Sequence, residues 1–134
     1  MTNQQHSIDS GFGAQTTARE VLDGIDLAGH YAIVTGGYSG IGPETTRPPR
    51  GAGAEILVPA RRPDVAREAL NGIGGVTVDE LDLGDLDSVR AFGGRVRDAG
   101  RPIDILINNA GIMATPEARI EIGGVQVESQ FATN

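Results

Sequence analysis

The chain has 134 residues, with 11 basic and 18 acidic side chains, a formal net charge of −7 and no cysteine. All of the basic residues are arginines, which excludes lysine Schiff bases, the phosphate-binding lysine of a P-loop, thiol nucleophiles and thiolate metal sites within these residues. The acidic balance, the polar start of the chain and the lack of any ligand cluster or long apolar run favour a cytoplasmic protein of one domain, with no metal and with neither nucleic acid nor membrane as partner.

The predicted elements alternate between strand and helix. Residues 1–15 are polar and predict a disordered tail, and Thr16 or Thr17 caps a short helix that runs to Leu22. Apolar runs then predict strands, and stretches of helical periodicity predict helices between them. Because the connections are short, this alternation predicts a parallel sheet with helices on both faces. The predicted strands cover 31–35, 54–59, 76–81 and 103–107, and the predicted helices cover 40–51, 64–70 and 86–99.

Prolines interrupt the helix predicted over 40–51. Pro43 falls in its first turn, where the missing N–H is tolerated, whereas Pro48 and Pro49 fall further inside. An interior proline costs about 3 kcal/mol or more, because it removes a hydrogen bond and clashes with the preceding turn. We therefore expect the helix to end near Arg47.

The last part of the chain allows two interpretations. Residues 112–124 resemble a loop, and residues 125–134 resemble the start of another helix. Alternatively, the apolar and polar residues of 119–128 alternate around Gly123-Gly124, which is typical of a small hairpin.

The sharpest local signal is a glycine-rich turn, Thr35-Gly-Gly-Tyr-Ser-Gly-Ile-Gly42, between the first strand and the next helix. In dinucleotide-binding turns one glycine permits the reversal, one lets the backbone approach a pyrophosphate, and one lets the helix pack closely on the strand. Gly36, Gly40 and Gly42 occupy those positions. The N–H groups of the helix start then face the phosphates, and the Ser39 hydroxyl can donate to them.

A second motif, Asn108-Asn-Ala-Gly111, follows the fourth predicted strand. Taken alone it is a favourable turn, but together the two motifs resemble the short-chain dehydrogenase/reductase family, most closely its retinol-dehydrogenase and WW-domain-oxidoreductase-like branch. The resemblance implies a Rossmann-type α/β fold with a doubly wound parallel sheet in the order 3-2-1-4, in which residues 16–134 form the N-terminal, cofactor-binding part. The later strands of the family are absent from these residues, so the strand at 103–107 is expected to be an open edge that attracts a partner.

Further candidate cofactor residues follow the second and third strands. Asp82 and Leu83 match the family position beside the adenine, although Asp-Leu-Gly-Asp is also an ordinary turn before a helix cap. Arg61 and Arg62 stand where the fold meets the ribose 2′ position; they favour NADP over NAD unless they are merely solvated loop arginines. The predicted cofactor-binding residues are Gly36, Tyr38, Ser39, Gly40, Ile41, Gly42, Arg61, Arg62, Asp82, Leu83, Asn109, Ala110 and Gly111.

The resemblance implies an NAD(P)-dependent oxidoreductase that transfers hydride between nicotinamide and an alcohol or carbonyl carbon. Asn134 matches the family's proton-relay asparagine, but the family's Ser and Tyr-x-x-x-Lys have no counterpart in these residues, which contain no lysine. We therefore expect this chain to be inactive alone. The alternatives are a catalytically dead NADP(H)-binding module or a truncated, nonfunctional product.

Overall fold

A computed structural model describes residues 8–134, so residues 1–7 of the predicted tail lie outside the described range, and residues 8–15 contain neither helix nor strand. The strands are β1 Tyr31–Val34, β2 Glu55–Ala60, β3 Val76–Glu80, β4 Ile105–Ile107, β5 Arg119–Ile122 and β6 Val125–Glu128. The helices are α1 Ala18–Val21, α2 Gly42–Gly51, α3 Pro63–Ala69, α4 Leu86–Asp98 and α5 Ser129–Thr133. None of the helices in the described range is long and apolar enough to cross a membrane.

The first four strands form one parallel sheet in the order β3-β2-β1-β4, as predicted for a Rossmann-like α/β fold. Ala32 of β1 lies opposite Ile56 of β2 on one side and Ile105 of β4 on the other. This register brings the carboxyl ends of neighbouring strands to one edge of the sheet. The turns that follow β1 and β4 are therefore adjacent, although they lie more than 70 residues apart in the chain.

The core lies around the two central strands, whose apolar runs are buried because neighbouring strands and the packed helices cover them. Its buried members are Ala32, Val34, Ala54, Ile56, Val58 and Leu70.

β4 is different from the central strands, since within residues 8–134 it pairs only with β1. Leu106 at the centre of β4 is 58% exposed, and Ile103 before it is 44% exposed. Within residues 8–134 no strand pairs with the outer edge of β4, as predicted, and exposed apolar side chains lie next to that edge.

α2 corrects one prediction, because it continues through Pro48 and Pro49 to Gly51 instead of ending near Arg47. Both prolines lie in the second half of the helix. Each lacks the backbone N–H donor, but its carbonyl oxygen still accepts a hydrogen bond. The Pro48 carbonyl accepts from Ala52 N–H at 2.9 Å, and the Pro49 carbonyl accepts from Ala54 N–H at 3.0 Å, just before β2. Pro49 is also buried, so its ring gains packing that offsets part of the lost hydrogen bonding.

The segment 119–128 corrects a second prediction: it is the β5–β6 hairpin, and only Ser129–Thr133 is helical. The hairpin turns at Gly123-Gly124, which have φ of +59° and +83°. A two-residue turn of this kind needs positive φ at both positions, which glycine supplies without strain. The alternative interpretation of this segment is thus confirmed, whereas the loop and the early start of the helix were wrong for residues 119–128.

Candidate functional site

A cleft of about 530 Å³ opens at the carboxyl edge of the parallel sheet, a size typical of pockets for small molecules. The segments that follow β1, β2, β3 and β4 each contribute to it, together with the end of α5. All of the predicted cofactor residues except Gly42 and Arg62 line it. The lining residues are Thr35, Gly36, Tyr38, Ser39, Gly40, Ile41, Pro59, Ala60, Arg61, Leu81, Asp82, Leu83, Asn109, Ala110, Gly111, Ile112 and Thr133.

Gly36 begins the turn after β1 with φ of +64°, in the left-handed region that disfavours other residues. A Cβ at this position would also lie 2.9 Å from the Cα of Ala110. Glycine is therefore required here for two reasons, the backbone conformation and the close approach of the two motifs.

Gly42 lies behind the turn, at the start of α2, and is buried. A Cβ on Gly42 would collide with the carbonyl oxygen of Gly36. The absence of a side chain therefore lets the helix start approach the turn closely. Ile41, just before it, is 78% exposed and lines the cleft.

Thr35 and Asn109 join the two motifs through a reciprocal set of hydrogen bonds. The Thr35 hydroxyl accepts from the backbone N–H groups of Asn109 at 3.1 Å and Ala110 at 3.0 Å. The Asn109 side-chain amide donates to the carbonyl oxygens of Thr35 at 3.1 Å and Gly36 at 3.2 Å. These four hydrogen bonds hold the two motifs together, and Thr35 is a site residue that the predicted set omitted.

The end of β2 gives the cleft a positive side. Ala60 is 2% exposed and supplies no carboxylate, and Arg61 follows it on the cleft surface. Arg62 does not line the cleft and instead occupies the N-cap position of α3. Within the described part of the chain, the guanidinium groups of Arg61 and Arg62 make no hydrogen bond or ion pair, so that of Arg61 is available to a ligand.

The end of β3 forms another wall, with Asp82 and Leu83 on its surface. One carboxylate oxygen of Asp82 accepts from Gly84 N–H at 2.9 Å, and the Asp82 N–H donates to the Ser88 hydroxyl at 2.9 Å. Asp82 therefore closes the turn before α4 and faces the cleft as well. The two interpretations of this segment are compatible, and contact with an adenine stays a prediction.

Asn134 lies beside the cleft but does not line it. Its side-chain carbonyl accepts from Ile112 N–H at 2.8 Å, and its amide donates to Ile112 O at 2.9 Å. In the same region the Gln130 side chain accepts from Ala114 N–H at 3.1 Å. The last helix therefore fixes the segment that follows the Asn-Asn-Ala-Gly motif, and the Asn134 side chain uses one donor and one acceptor in doing so.

The other lining residues missing from the predicted set are Pro59, Ala60, Leu81, Ile112 and Thr133. Most of them directly adjoin a predicted residue in the chain, so the strand ends themselves were the signal that could have identified them. Thr133 is different, because only the folding of the hairpin brings α5 to the cleft.

Comparisons with known proteins agree on one family. Residues 30–134 match the family model described as short chain dehydrogenase. A probable oxidoreductase from Streptomyces antibioticus is 46% identical over 116 residues, which are 82% of this chain and 37% of that protein. A crystal structure of an uncharacterised protein from Mycobacterium paratuberculosis is 38% identical with a TM-score of 0.74, over 89% of this chain and 41% of the other.

A metagenomic short-chain oxidoreductase in complex with NADP is similar as well. It is 34% identical with a TM-score of 0.58, over 63% of this chain and 40% of its own. This chain therefore spans about two fifths of the length of the proteins that it matches.

Proposed function

The chain belongs to the short-chain dehydrogenase family, and we propose that its residues 16–134 form the dinucleotide-binding part of an NADP(H)-dependent oxidoreductase. The observation that carries this proposal is the cleft at the carboxyl edge of the sheet, where the glycine turn before α2 and the turn after β4 meet. Ligands of open α/β sheets bind at this edge, outside the carboxyl ends of the strands. The narrower likeness to the retinol-dehydrogenase and WW-domain-oxidoreductase-like branch, and a cytoplasmic location, belong to the same proposal.

The residues of the cleft fit a dinucleotide. The turn has no side chain at Gly36 or Gly40, which line the cleft, and Gly42 lets α2 pack closely behind them. A pyrophosphate could therefore approach the backbone of the turn and the N-terminus of α2, with Ser39 exposed beside it. Asp82 would contact the adenine, with Leu83 packing against its face. The segment Asn109–Gly111 would line the nicotinamide end.

NADP is preferred to NAD because of the charge at the end of β2. A carboxylate at this point would bind a free 2′-hydroxyl and repel a 2′-phosphate, but Ala60 stands there instead. The unpaired guanidinium of Arg61 offers a planar pair of donors that suits a phosphate. The related oxidoreductase that holds NADP supports this choice.

NADP, when bound, accepts or supplies the hydride, and the substrate would be a small alcohol or carbonyl compound. The residues of this chain would bind and orient the cofactor, and Asn134 would order the segment beside it through Ile112. A second candidate is an NADP(H)-binding module without turnover. These 134 residues contain no lysine and so do not themselves supply the family's Tyr-x-x-x-Lys pair.

The test is a fluorescence titration of the protein with NADPH and, separately, with NADH. We expect Arg61→Ala to weaken NADPH binding about tenfold, as the loss of a charge-assisted hydrogen bond implies, and to leave NADH binding unchanged. Arg90→Ala is the matched control, because Arg90 is an exposed arginine of α4 outside the cleft. A wild-type protein that binds neither nucleotide would overturn the proposal, and an equal effect on both nucleotides would overturn the role of Arg61.

A separate assay of NADPH formation from NADP and a panel of alcohols decides between the two candidates. Turnover by the chain would favour the enzyme, and binding without turnover would favour the binding module.

A further inference from the structure

Thr46 is a polar residue of α2, and the dinucleotide-binding glycine pattern does not explain why it is buried. Its side chain is 0% exposed, and its hydroxyl donates to the carbonyl oxygen of Gly37 at 2.8 Å. The hydroxyl of the adjacent Thr45 lies 3.5 Å from Ile41 O one turn earlier, as is common for helical threonines, and 3.5 Å from Asn109 Oδ1. The Thr46 hydroxyl makes no such bond within its helix and reaches the turn before it.

Gly37 and Thr46 fit each other sterically. Gly37 does not need glycine for its backbone, because its φ is not positive, and it is not one of the three glycines of the dinucleotide pattern. A Cβ at Gly37 would lie 2.5 Å from the Thr46 hydroxyl oxygen and 3.1 Å from Val34 Cγ1. The space that a side chain at Gly37 would fill is therefore taken up by the Thr46 hydroxyl.

The contact fixes part of the cofactor turn. The Gly36 carbonyl is held by the Asn109 amide at 3.2 Å, and the next carbonyl, that of Gly37, is held by Thr46. In a trans peptide the C=O and N–H point in opposite directions, so anchoring two consecutive carbonyls sets the directions of the Gly37 and Tyr38 N–H groups. Tyr38 lines the cleft. A turn that is ordered before the ligand arrives loses less conformational entropy on binding.

We propose that Thr46 is a positioning residue of the cofactor site, and that its hydrogen bond to Gly37 holds the glycine turn in its binding conformation. The predicted effect of Thr46 on NADPH affinity rests on the proposed function, whereas its predicted effect on the conformation of the turn does not.

The test compares Thr46→Val, which keeps the shape but lacks the donor, with Thr46→Ser, which keeps the hydroxyl. The readouts are amide hydrogen exchange across residues 37–42 without ligand and the Kd for NADPH. We expect the valine variant to exchange about five- to tenfold faster in the turn and to bind NADPH about fivefold more weakly, as the loss of one hydrogen bond implies. The serine variant is expected to match the wild type in both.

A control and a second variant keep the inference open to refutation. Thr77→Val removes a hydroxyl that lies 3.4 Å from Ile56 O, away from the cleft, and is expected to change neither readout. If Thr46→Val does not fold, Thr46→Ala, which is smaller and also lacks the donor, takes its place. Unchanged exchange in the turn would overturn the inference, and so would faster exchange spread equally over β1 and β2, which indicates general destabilisation. A wild type that does not bind NADPH refutes the proposed function, while the exchange measurement still decides the role of Thr46.

Discussion

Replacing Thr35 by valine removes the acceptor that joins the glycine turn to the Asn-Asn-Ala-Gly motif. The shape of the side chain is kept, but the backbone N–H groups of Asn109 and Ala110 lose their shared partner. Thr35 itself is 8% exposed, so water reaches the vacated position poorly. The variant therefore tests whether the hydroxyl, rather than the bulk of the side chain, holds the two motifs together.

The expected loss follows from the number of orphaned donors. A buried donor left without a partner costs about 1–3 kcal/mol. The Asn109 N–H keeps a second acceptor, the carbonyl oxygen of Ile107 at 3.1 Å, so only the Ala110 N–H is left without a partner. Ala110 is half-buried, and we expect a total of about 1–3 kcal/mol. A loss of this size is a large share of the roughly 5–15 kcal/mol that separates most folded domains from their unfolded chains.

Urea unfolding followed by circular dichroism measures this loss as a lower free energy of unfolding. Thr35→Ser retains the hydroxyl and is expected to stay within about 1 kcal/mol of the wild type, since it loses one methyl group. Thr77→Val, on β3, orphans no donor and is expected to change stability by less than about 0.5 kcal/mol. A Thr35→Val protein as stable as Thr77→Val would refute the reasoning, because the hydrogen bonds would then contribute nothing measurable.

Three further predictions concern other parts of the fold. Pro48→Ala restores a helix donor inside α2, and we expect it to raise the free energy of unfolding in urea by about 1–3 kcal/mol; an unchanged value would contradict the proline cost. The hydrogen bond and charge of Arg101 lower the pKa of Glu55, so their contribution to stability is present above the ordinary carboxylate pKa of 4.5 and is lost as pH falls through the lowered value. We therefore expect the wild type to have a higher free energy of unfolding than Glu55→Gln at neutral pH, and this difference to vanish in acid. A difference that grows in acid would contradict the predicted direction of the pKa shift. Leu106→Lys places a charge on the open edge of β4 and is expected to increase the monomer fraction in light scattering, whereas Val125→Lys, at an equally exposed position on the hairpin, is not.

The parallel sheet was predictable because its signals are local and strong. Each strand is an apolar run that ends at a turn, and the alternation with helices leaves few topologies. The same is true of most of the cleft, since the carboxyl ends of parallel strands must meet at one edge. Gly36 and Asn109, for example, were predicted from motifs far apart in the chain, and the structure brings them into contact.

The parts that sequence reasoning missed depend on tertiary contacts. Pro48 and Pro49 predict the end of a helix, but burial of Pro49 offsets part of the free-energy cost, and the sequence does not reveal that burial. The hydroxyls of Thr35 and Thr46 look like those of any other threonine until the fold shows which backbone groups they reach. The short hairpin was ambiguous because its glycine pair also suits a loop between two other elements.

The fit between Gly37 and Thr46 constrains the order in which this sequence can evolve. With threonine at position 46, an alanine at position 37 collides with the hydroxyl oxygen, so that first step is costly. If position 46 changes first to alanine, this collision is removed, and the close contacts that remain are 3.1 Å to Val34 Cγ1 and 3.2 Å to the Val34 carbonyl oxygen, which a small shift relieves. The two positions are therefore an epistatic pair, and in any collection of diverging sequences a side chain at 37 is expected only where the residue at 46 is small.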